Sequence, residues 1–236
     1  MPQTDAIFEN LSIKDQKLSV KVKCLSLDCK ATVNIGNYSR GGKTRGNNQA
    51  QDHDLGAKEK YIPCGILDEQ SGQLYLNFGS SYKTSDFIAD SLSLWWDAIP
   101  QAEKDSTELI QLKVDNGPES SGVRTQFLNR MVEFTESIGK SIQFLYFPPY
   151  HSKYNPIERC WGILEQHWNG AILKNVDTML AWAQTMTWKG KTPIINLSQE
   201  IYQKGISLTK KAMAEIEARL LRNPSLPKWD ILITPY

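Results

Sequence analysis

The sequence predicts an α/β fold, with a five-stranded mixed sheet flanked by helices and a C-terminal helical extension. Short apolar runs with strand-like composition alternate with longer segments in which apolar residues recur at helical spacing. Two of the apolar runs also end in an aspartate, and the carboxyl ends of strands are where open α/β sheets build their sites. The same pattern therefore predicts both the fold class and the edge of the sheet that is functional.

The first half of the chain is predicted to supply three strands. Residues 1–19 are expected to be a poorly ordered lead-in, and residues 20–28 form the first strand. Residues 31–38 continue the sheet, and strands 61–67 and 73–79 form a hairpin through the turn sequence DEQSG. The polar, Gly-rich segment before that hairpin is too long for a tight turn, which is typical of a functional or mobile loop.

The second half is predicted to alternate helices with strands. In order, these are a helix capped at Thr84 or Ser85, a strand at 109–114, a helix at 124–138 ended by Gly139, a strand at 142–147 and a helix after Pro156. Residues 20–170 are predicted to form one core domain. Residues 171–236 are predicted to pack on it as helices, one from Asn175 and one from Thr209 to Arg222.

Composition limits the possible classes of protein. A chain of 236 residues can form one large α/β domain or two small ones, and its 40% hydrophobic and 22% charged residues are ordinary for a soluble globular protein. No apolar window is long enough to span a membrane and no signal-peptide pattern opens the chain, so we expect a cytoplasmic protein. The four cysteines have no metal-binding spacing, and we expect them to be buried free thiols.

Three acidic residues are the candidate catalytic residues. Asp28 and Asp115 each end an apolar run, and Glu158 opens the helix after Pro156. Carboxylates brought together from distant segments raise each other's pKa, and a divalent metal is the usual reason for such a cluster. Oxygen ligands of this kind suit Mg²⁺. The alternative is structural, with the aspartates as strand-end caps and Glu158 as a charge favoured by the helix dipole.

An ordered set of motifs surrounds these acids. It comprises the Gly-rich basic turn Gly36–Arg45, Asp52-His53-Asp54, Ile62-Pro63-Cys64-Gly65 with Asp68, Trp95-Trp96, Asp115-Asn116-Gly117, FPP at 147–149, Ser152-Lys153-Tyr154-Asn155 and Ile157-Glu158. In this set, the sequence resembles the catalytic domain of bacterial insertion-sequence transposases of the DDE superfamily, in particular the Rhodopirellula-type domain (ISAzo group). The resemblance extends from about Val20 to near the C-terminus.

The resemblance implies a ribonuclease-H-like fold in which strands 20–28 and 109–114 are neighbours at the sheet centre. It also implies that Asp28, Asp115 and Glu158 are catalytic and hold two Mg²⁺ ions, with Mn²⁺ as a substitute. The implied reaction is cleavage of DNA at the ends of an element and joining of its 3′-hydroxyls to target DNA. The implied partners are therefore transposon ends and target DNA, with a homodimer on the DNA.

Several further residues are predicted to contact DNA or to support the acids. Lys153 precedes Glu158 and is placed to contact a phosphate, although an exposed loop lysine can equally have no role. Asn155 is predicted to set the start of the helix, and Asn116 to form a turn that frees Asp115. Arg40 and Lys43 add local positive charge, which indicates DNA binding only weakly because the net charge is +1.

Two features of the sequence depart from the transposase pattern. Glu165 lies seven residues after Glu158, on roughly the same face of the predicted helix. Many DDE transposases have Lys or Arg at this position, so Glu165 would repel phosphate unless a nearby cation pairs with it. Only about twenty residues precede the first predicted strand, without the upstream helix-turn-helix pattern that reads terminal repeats. The alternatives are therefore a nuclease of the same fold without strand transfer, or a non-catalytic DNA-binding remnant.

Overall fold

In the computed structural model, residues 2–41 and 59–236 are described, and they confirm the predicted mixed α/β fold. The strands are β1 (Val22–Cys29), β2 (Val33–Asn34), β3 (Lys60–Asp68), β4 (Leu74–Gly79), β5 (Leu109–Asp115), β6 (Ser141–Phe147), β7 (Ile194–Ser198), β8 (Leu220–Arg222) and β9 (Asp230–Ile233). The helices are α1 (Pro2–Gln16), α2 (Ser85–Ala98), α3 (Gln101–Ser106), α4 (Thr125–Ile138), α5 (Ile157–Trp168), α6 (Val176–Thr185) and α7 (Lys210–Glu217), with a 3₁₀ turn at Ser152–Tyr154.

The described strands lie in the order β7-β4-β3-β1-β5-β6-β9-β8, and β2 pairs with β3. At the centre, β1 is parallel to β5, with Leu27 opposite Val114, and antiparallel to β3, with Asp28 opposite Gly65. Strands 20–28 and 109–114 are therefore neighbours, as expected. Because these two strands are parallel, Asp28 and Asp115 lie at the same edge of the sheet.

The capping residues predicted from sequence set the helix boundaries. The Thr84 hydroxyl accepts a hydrogen bond from the backbone of Phe87 at the start of α2, and α4 ends at Gly139 with φ +63°. The Asp68–Gly72 turn of the β3–β4 hairpin closes as predicted, through a hydrogen bond from the Gly72 amide to the Asp68 carbonyl. The predicted continuation of the sheet over 31–38 is shorter: among the described residues, its strand is Val33–Asn34, which pairs with β3.

The N-terminal segment differs from the expected poorly ordered lead-in, because residues Pro2–Gln16 form α1. Ile7 and Leu11 are buried in the core, whereas most of the helix surface is polar. Such a sparse apolar pattern gives little periodicity, so the sequence did not indicate a helix. Contacts with distant residues fix α1 instead, including a hydrogen bond of 3.1 Å from Asn10 to Asp230.

The C-terminal region also differs from the expected helical extension, because it contains strands that widen the sheet. β7 pairs with β4 at one edge, and β9 pairs with β6 and β8 at the other. The helix expected to reach Arg222 ends at Glu217, and Leu220 then pairs with Ile233. Strands of three and four residues are too short to show a period in sequence, and pairing with the existing sheet decides their conformation.

Two hydrophobic clusters form the core. One includes Trp95 of α2 and Phe127 of α4, and the other includes Trp161 and Trp168 of α5. The four cysteines are buried and free, as predicted. Across the described ranges, every helix is too short or too polar to cross a membrane.

Candidate active site

Asp28 and Asp115 lie at the carboxyl ends of the two central strands, and both side chains are partly buried. The chain turns away directly after Asp115, since the Ser120 hydroxyl donates to the Asp115 carbonyl at 3.1 Å and the Ser120 amide donates to Gly117. Asn116 lies exposed in this turn. The turn keeps the Asp115 carboxylate at the end of the strand instead of continuing the sheet.

Glu158 reaches the same edge from the first turn of α5. The chain leaves β6 through Pro148 and Pro149, forms the 3₁₀ turn and enters α5 at Ile157. The Glu158 amide donates to the Asn155 carbonyl at 3.0 Å, which places the carboxylate at the beginning of the helix. The Ser152 side chain acts on that carboxylate and lowers its pKa.

Asn155 links the three segments that contain the acids. Its side chain is fully buried, and its amide nitrogen donates to the Leu27 carbonyl at 3.2 Å and to the Asp115 carboxylate at 3.4 Å. Leu27 precedes Asp28, so one amide group connects β1, β5 and the start of α5. The Asn155 side-chain oxygen is buried without a hydrogen-bond partner among the described residues.

Trp161 orients Asp28, and the sequence alone did not indicate this role. Its indole nitrogen donates to the Asp28 carboxylate at 2.9 Å. The indole fits there because Gly65 lies opposite Asp28 on β3, where an added Cβ would stand 2.6 Å from Cη2 of Trp161. Helix α5 therefore supplies both Glu158 and the donor that holds Asp28. The signal available in sequence was a tryptophan three residues after Glu158 together with the glycine of the Ile62–Gly65 motif.

The acids at this edge affect one another electrostatically. Burial, followed by the charges of Asp28 and Glu158, raises the pKa of Asp115 to about 6, although the hydrogen bond from Asn155 opposes the shift. Burial and the charge of Asp28 also raise the pKa of Glu158, against the effects of the Ser152 side chain and of the charge of Lys30. The pKa values of Asp115 and Glu158 are therefore raised by burial together with the neighbouring carboxylates, and the nearby lysines do not outweigh these two effects.

The three acids do not form a ready-made metal-binding group. Within residues 2–41 and 59–236, no three His, Cys, Asp or Glu side chains form a group that could hold a metal ion.

The predicted cations near the site have different surroundings. Lys153 is exposed, with its ammonium 5.3 Å from the centre of the Tyr154 ring. Arg40 is mostly covered: it donates twice to Glu165, at 2.9 and 3.0 Å, and lies 4.9 Å above the Trp168 ring. Lys43 and the Asp52-His53-Asp54 motif lie outside the described residues.

Glu165 forms ion pairs with two cations, and these pairs would offset its repulsion of phosphate. Lys30 lies 2.8 Å from its carboxylate, in addition to Arg40. Burial alone would raise the pKa of Glu165, but these two cations outweigh burial and hold the pKa below its usual value. The carboxylate of Glu165 is therefore neutralised, unlike those of Asp115 and Glu158.

Solved structures with a similar fold are complexes of Mos1 transposase. The paired-end complex with the left transposon end matches with a TM-score of 0.52, 12% identity and coverage of 76% of this chain and 51% of that chain. The Mos1 strand transfer complex gives 0.53 at 12% identity over 77% and 52% of the two chains, and the Mos1 mariner paired-end complex with Mn gives 0.51 at 12% over 76% and 52%. At this identity the likeness shows the fold, which is ribonuclease-H-like. The chain spans about half the length of the Mos1 chains.

Comparison with curated protein sequences gave no match. A protein-family model described as the Rhodopirellula transposase DDE domain matches residues 1–235, which is nearly the whole chain. The match includes the three acids at the sheet edge and the motifs around them. The chain therefore belongs to the Rhodopirellula transposase DDE domain family.

Proposed function

We propose that this chain cleaves DNA phosphodiester bonds at the ends of an insertion sequence and joins the resulting 3′-hydroxyls to target DNA, with Asp28, Asp115 and Glu158 as the catalytic residues. The observation that supports this most is the crowding of three carboxylates from three distant segments at one edge of the sheet. Burial and the neighbouring charges of Asp28 and Glu158 together raise the pKa of Asp115, and a carboxyl group perturbed in this way is typical of a functional site.

The chemistry of the donor set fits Mg²⁺ or Mn²⁺. All three side chains offer hard oxygen ligands, and an added cation would offset the burial and the like charges that together raise the pKa values of Asp115 and Glu158. Asp28 and Asp115 would share one ion and Glu158 would help to hold a second. Ions bound in this way stabilise the attacking and leaving oxygens of a phosphoryl displacement.

Other residues of the chain would keep the acids oriented and the substrate in place. Trp161 and Asn155 each use one donor to hold a carboxylate, so that Asp28 and Asp115 face the substrate in a fixed orientation. Lys153 is exposed beside Glu158 and would contact a phosphate of the bound strand. Transposon ends and target DNA are the proposed partners, and handling two ends together calls for a homodimer.

The proposal can be tested by removing one acid at a time. Asp28→Asn, Asp115→Asn and Glu158→Gln should each reduce Mn²⁺-dependent nicking of supercoiled plasmid at least about a thousandfold, because each removes a charge that the reaction needs in its transition state. Circular dichroism should show the same fold in all three. Glu133→Gln is the matched control, since Glu133 is an exposed acid on α4 that pairs with Arg130.

Activity that survives in one of the three variants would remove that residue from the site. Strand transfer needs its own measurement, in which a pre-cut oligonucleotide with a 3′-hydroxyl end is incubated with plasmid and joined products are counted. Nicking without joining would identify a nuclease of the same fold. Failure to bind Mn²⁺ by calorimetry, together with no nicking, would identify a non-catalytic remnant.

A further inference from the structure

A groove of about 500 Å³ opens beside the carboxylate edge, and the proposed reaction does not yet give it a role. Its lining includes three cations, one aromatic ring, one proline and one acid: Lys60, Lys83, Lys204, Tyr82, Pro118 and Glu119. These residues come from four separate parts of the chain, so the fold assembles the groove.

The groove adjoins the acids directly. The Lys83 ammonium donates to the Cys29 carbonyl at 3.4 Å, and Cys29 follows Asp28. The charge of Lys83 also acts on Asp115 and lowers its pKa, opposing the effect of burial. Pro118 lies within the turn that follows Asp115. A ligand in the groove would therefore lie close to the carboxylates.

The lining of the groove is suited to a polyanion. Among the described residues that line the groove the acid is Glu119, and its carboxylate lies 3.7 Å from the guanidinium of Arg124, so the neighbouring arginine offsets its charge. Lys60 and Lys204 are exposed to solvent. In a chain with a net charge of only +1, three lysines around one groove are a local concentration of positive charge.

The aromatic ring adds a second kind of contact. Tyr82 is 48% exposed, although a tyrosine of the core would be covered, and the Lys204 ammonium lies 4.1 Å from its ring centre. Grooves that hold single-stranded nucleic acid combine cations that follow the phosphates with aromatic rings on which bases stack. Tyr82 and the lysines together provide both kinds of contact.

We propose that this groove binds an unpaired nucleic-acid strand that leads to the carboxylates, with phosphates held by the lysines and a base stacked on Tyr82. The inference rests on the proposed function for its ligand class, because the groove lies beside the site where that strand would react. An unpaired strand is specified because a base inside an intact duplex cannot present its face to a tyrosine.

Binding can be measured without catalysis. A fluorescein-labelled single-stranded DNA of 20 nucleotides and a duplex of the same sequence would be titrated with the whole chain in EDTA, with anisotropy recorded at several salt concentrations. Tyr82→Ala should weaken binding of the single strand about tenfold and affect the duplex less, whereas Tyr82→Phe, which keeps the ring, should bind as the unchanged protein does. Lys204→Ala should reduce the salt slope for the single strand by about 0.7.

The matched control is Lys189→Ala. It removes the same charge from an exposed lysine beside Gly72, at the opposite edge of the sheet, and should leave both affinity and salt slope unchanged. Equal behaviour of the Tyr82, Lys204 and Lys189 alanine variants would overturn the proposal, as would a chain that does not bind the single strand. Because no metal or cleavage is involved, these results are independent of the plasmid-nicking assay, so the groove and the catalytic proposal can fail separately.

Discussion

Acidic residues lie close to both ends of β1, but their electrostatic surroundings at the two ends are opposite. At the beginning of the strand, Lys23 lies 2.9 Å from Asp68 and also pairs with Glu103. Burial alone would raise the pKa of Asp68, but Lys23 and hydrogen bonds from Ser71 outweigh burial and hold the pKa below its usual value. At the other end, Asp28 lies among acids, and the pKa values of its neighbours are raised.

A second buried lysine that lies between two acids strengthens the contrast between the paired acids and those at the carboxylate edge. Lys113 of β5 has only 6% of its side chain exposed and lies 2.9 Å from both Asp15 and Glu69. Burial alone would lower its pKa, but the neighbouring Cys24, Glu69 and Asp15 raise it well above the usual value. Acids that are paired in this way join α1 and the hairpin to the sheet. Unpaired, crowded acids stabilise nothing by themselves, which is why they indicate a functional site.

The largest effect on stability is expected from breaking the pairs around Lys113. Lys113→Met should lower the free energy of unfolding by about 2 to 3 kcal/mol, because it leaves two carboxylates without the buried cation that neutralises them. Urea denaturation would measure the loss. Nicking activity per folded molecule should be unchanged, since Lys113 belongs to the structural set of charges and not to the carboxylate edge.

The control for this variant is Lys21→Met. Lys21 forms an ion pair with Glu108, but the two side chains are 58% and 64% exposed, so the loss should be below about 0.5 kcal/mol. If Lys113→Met costs no more than Lys21→Met, the paired acids do not stabilise the fold and the contrast between the two ends of β1 is lost.

A smaller effect on stability, but a larger one on activity, is expected at Gly65. Gly65→Ala should cost about 2 kcal/mol, because the new methyl group would overlap the Trp161 indole and force it to move. Asp28 would then lose its donor, so nicking should fall about tenfold or more. Thermal unfolding and initial nicking rates would separate the two consequences.

Two comparisons sharpen this result. Gly162 lies on α5 with no atom within 4 Å of an added Cβ, so Gly162→Ala should be neutral or slightly stabilising and fully active. Trp161→Phe keeps most of the ring but removes the N–H, so it should reproduce the loss of activity with a smaller loss of stability. Full activity in Trp161→Phe would show that the hydrogen bond to Asp28 has no part in the reaction.

The sequence predicts the central part of the fold well because its signals there are local. The β1 and β5 strands are apolar runs, α2 begins after a residue that caps helices by itself, Thr84, and α4 ends at another, Gly139. The signals are absent from α1 and β9. A helix held by Asn10 and Asp15, and a four-residue strand that completes an existing sheet, depend on partners that are distant in sequence.

The residues of the candidate site also differ in whether their signals are local in sequence. Asp28, Asp115 and Glu158 could be selected from sequence because each ends a strand or opens a helix. The roles of Trp161 and Gly65 could not, because they depend on the register that places Gly65 opposite Asp28. Register describes which residues of two neighbouring strands lie opposite each other, and local sequence patterns in either strand do not specify it.

The smallest expected effect is pH-dependent and has the opposite sign to that of breaking the paired acids. In the metal-free protein, the pKa of Asp115 is about 6 against an ordinary value of 3.8, so the folded state binds more protons than the unfolded state between these pH values. Stability is therefore lost as the pH rises from about 4 through 6.

Asp115→Asn removes this loss and keeps an oxygen that can accept from Asn155. At pH 7.5 it should stabilise the metal-free protein by about 1 kcal/mol, after allowance for the solvent that reaches the carboxylate, or about 3 °C in Tm. Below pH 4 the two proteins should unfold at the same temperature. Saturating Mn²⁺ should reverse the order at pH 7.5, since only the unchanged protein would gain the binding energy of the cation. An unchanged or lower Tm for Asp115→Asn in EDTA at pH 7.5 would place Asp115 with the paired, stabilising acids at the other end of β1.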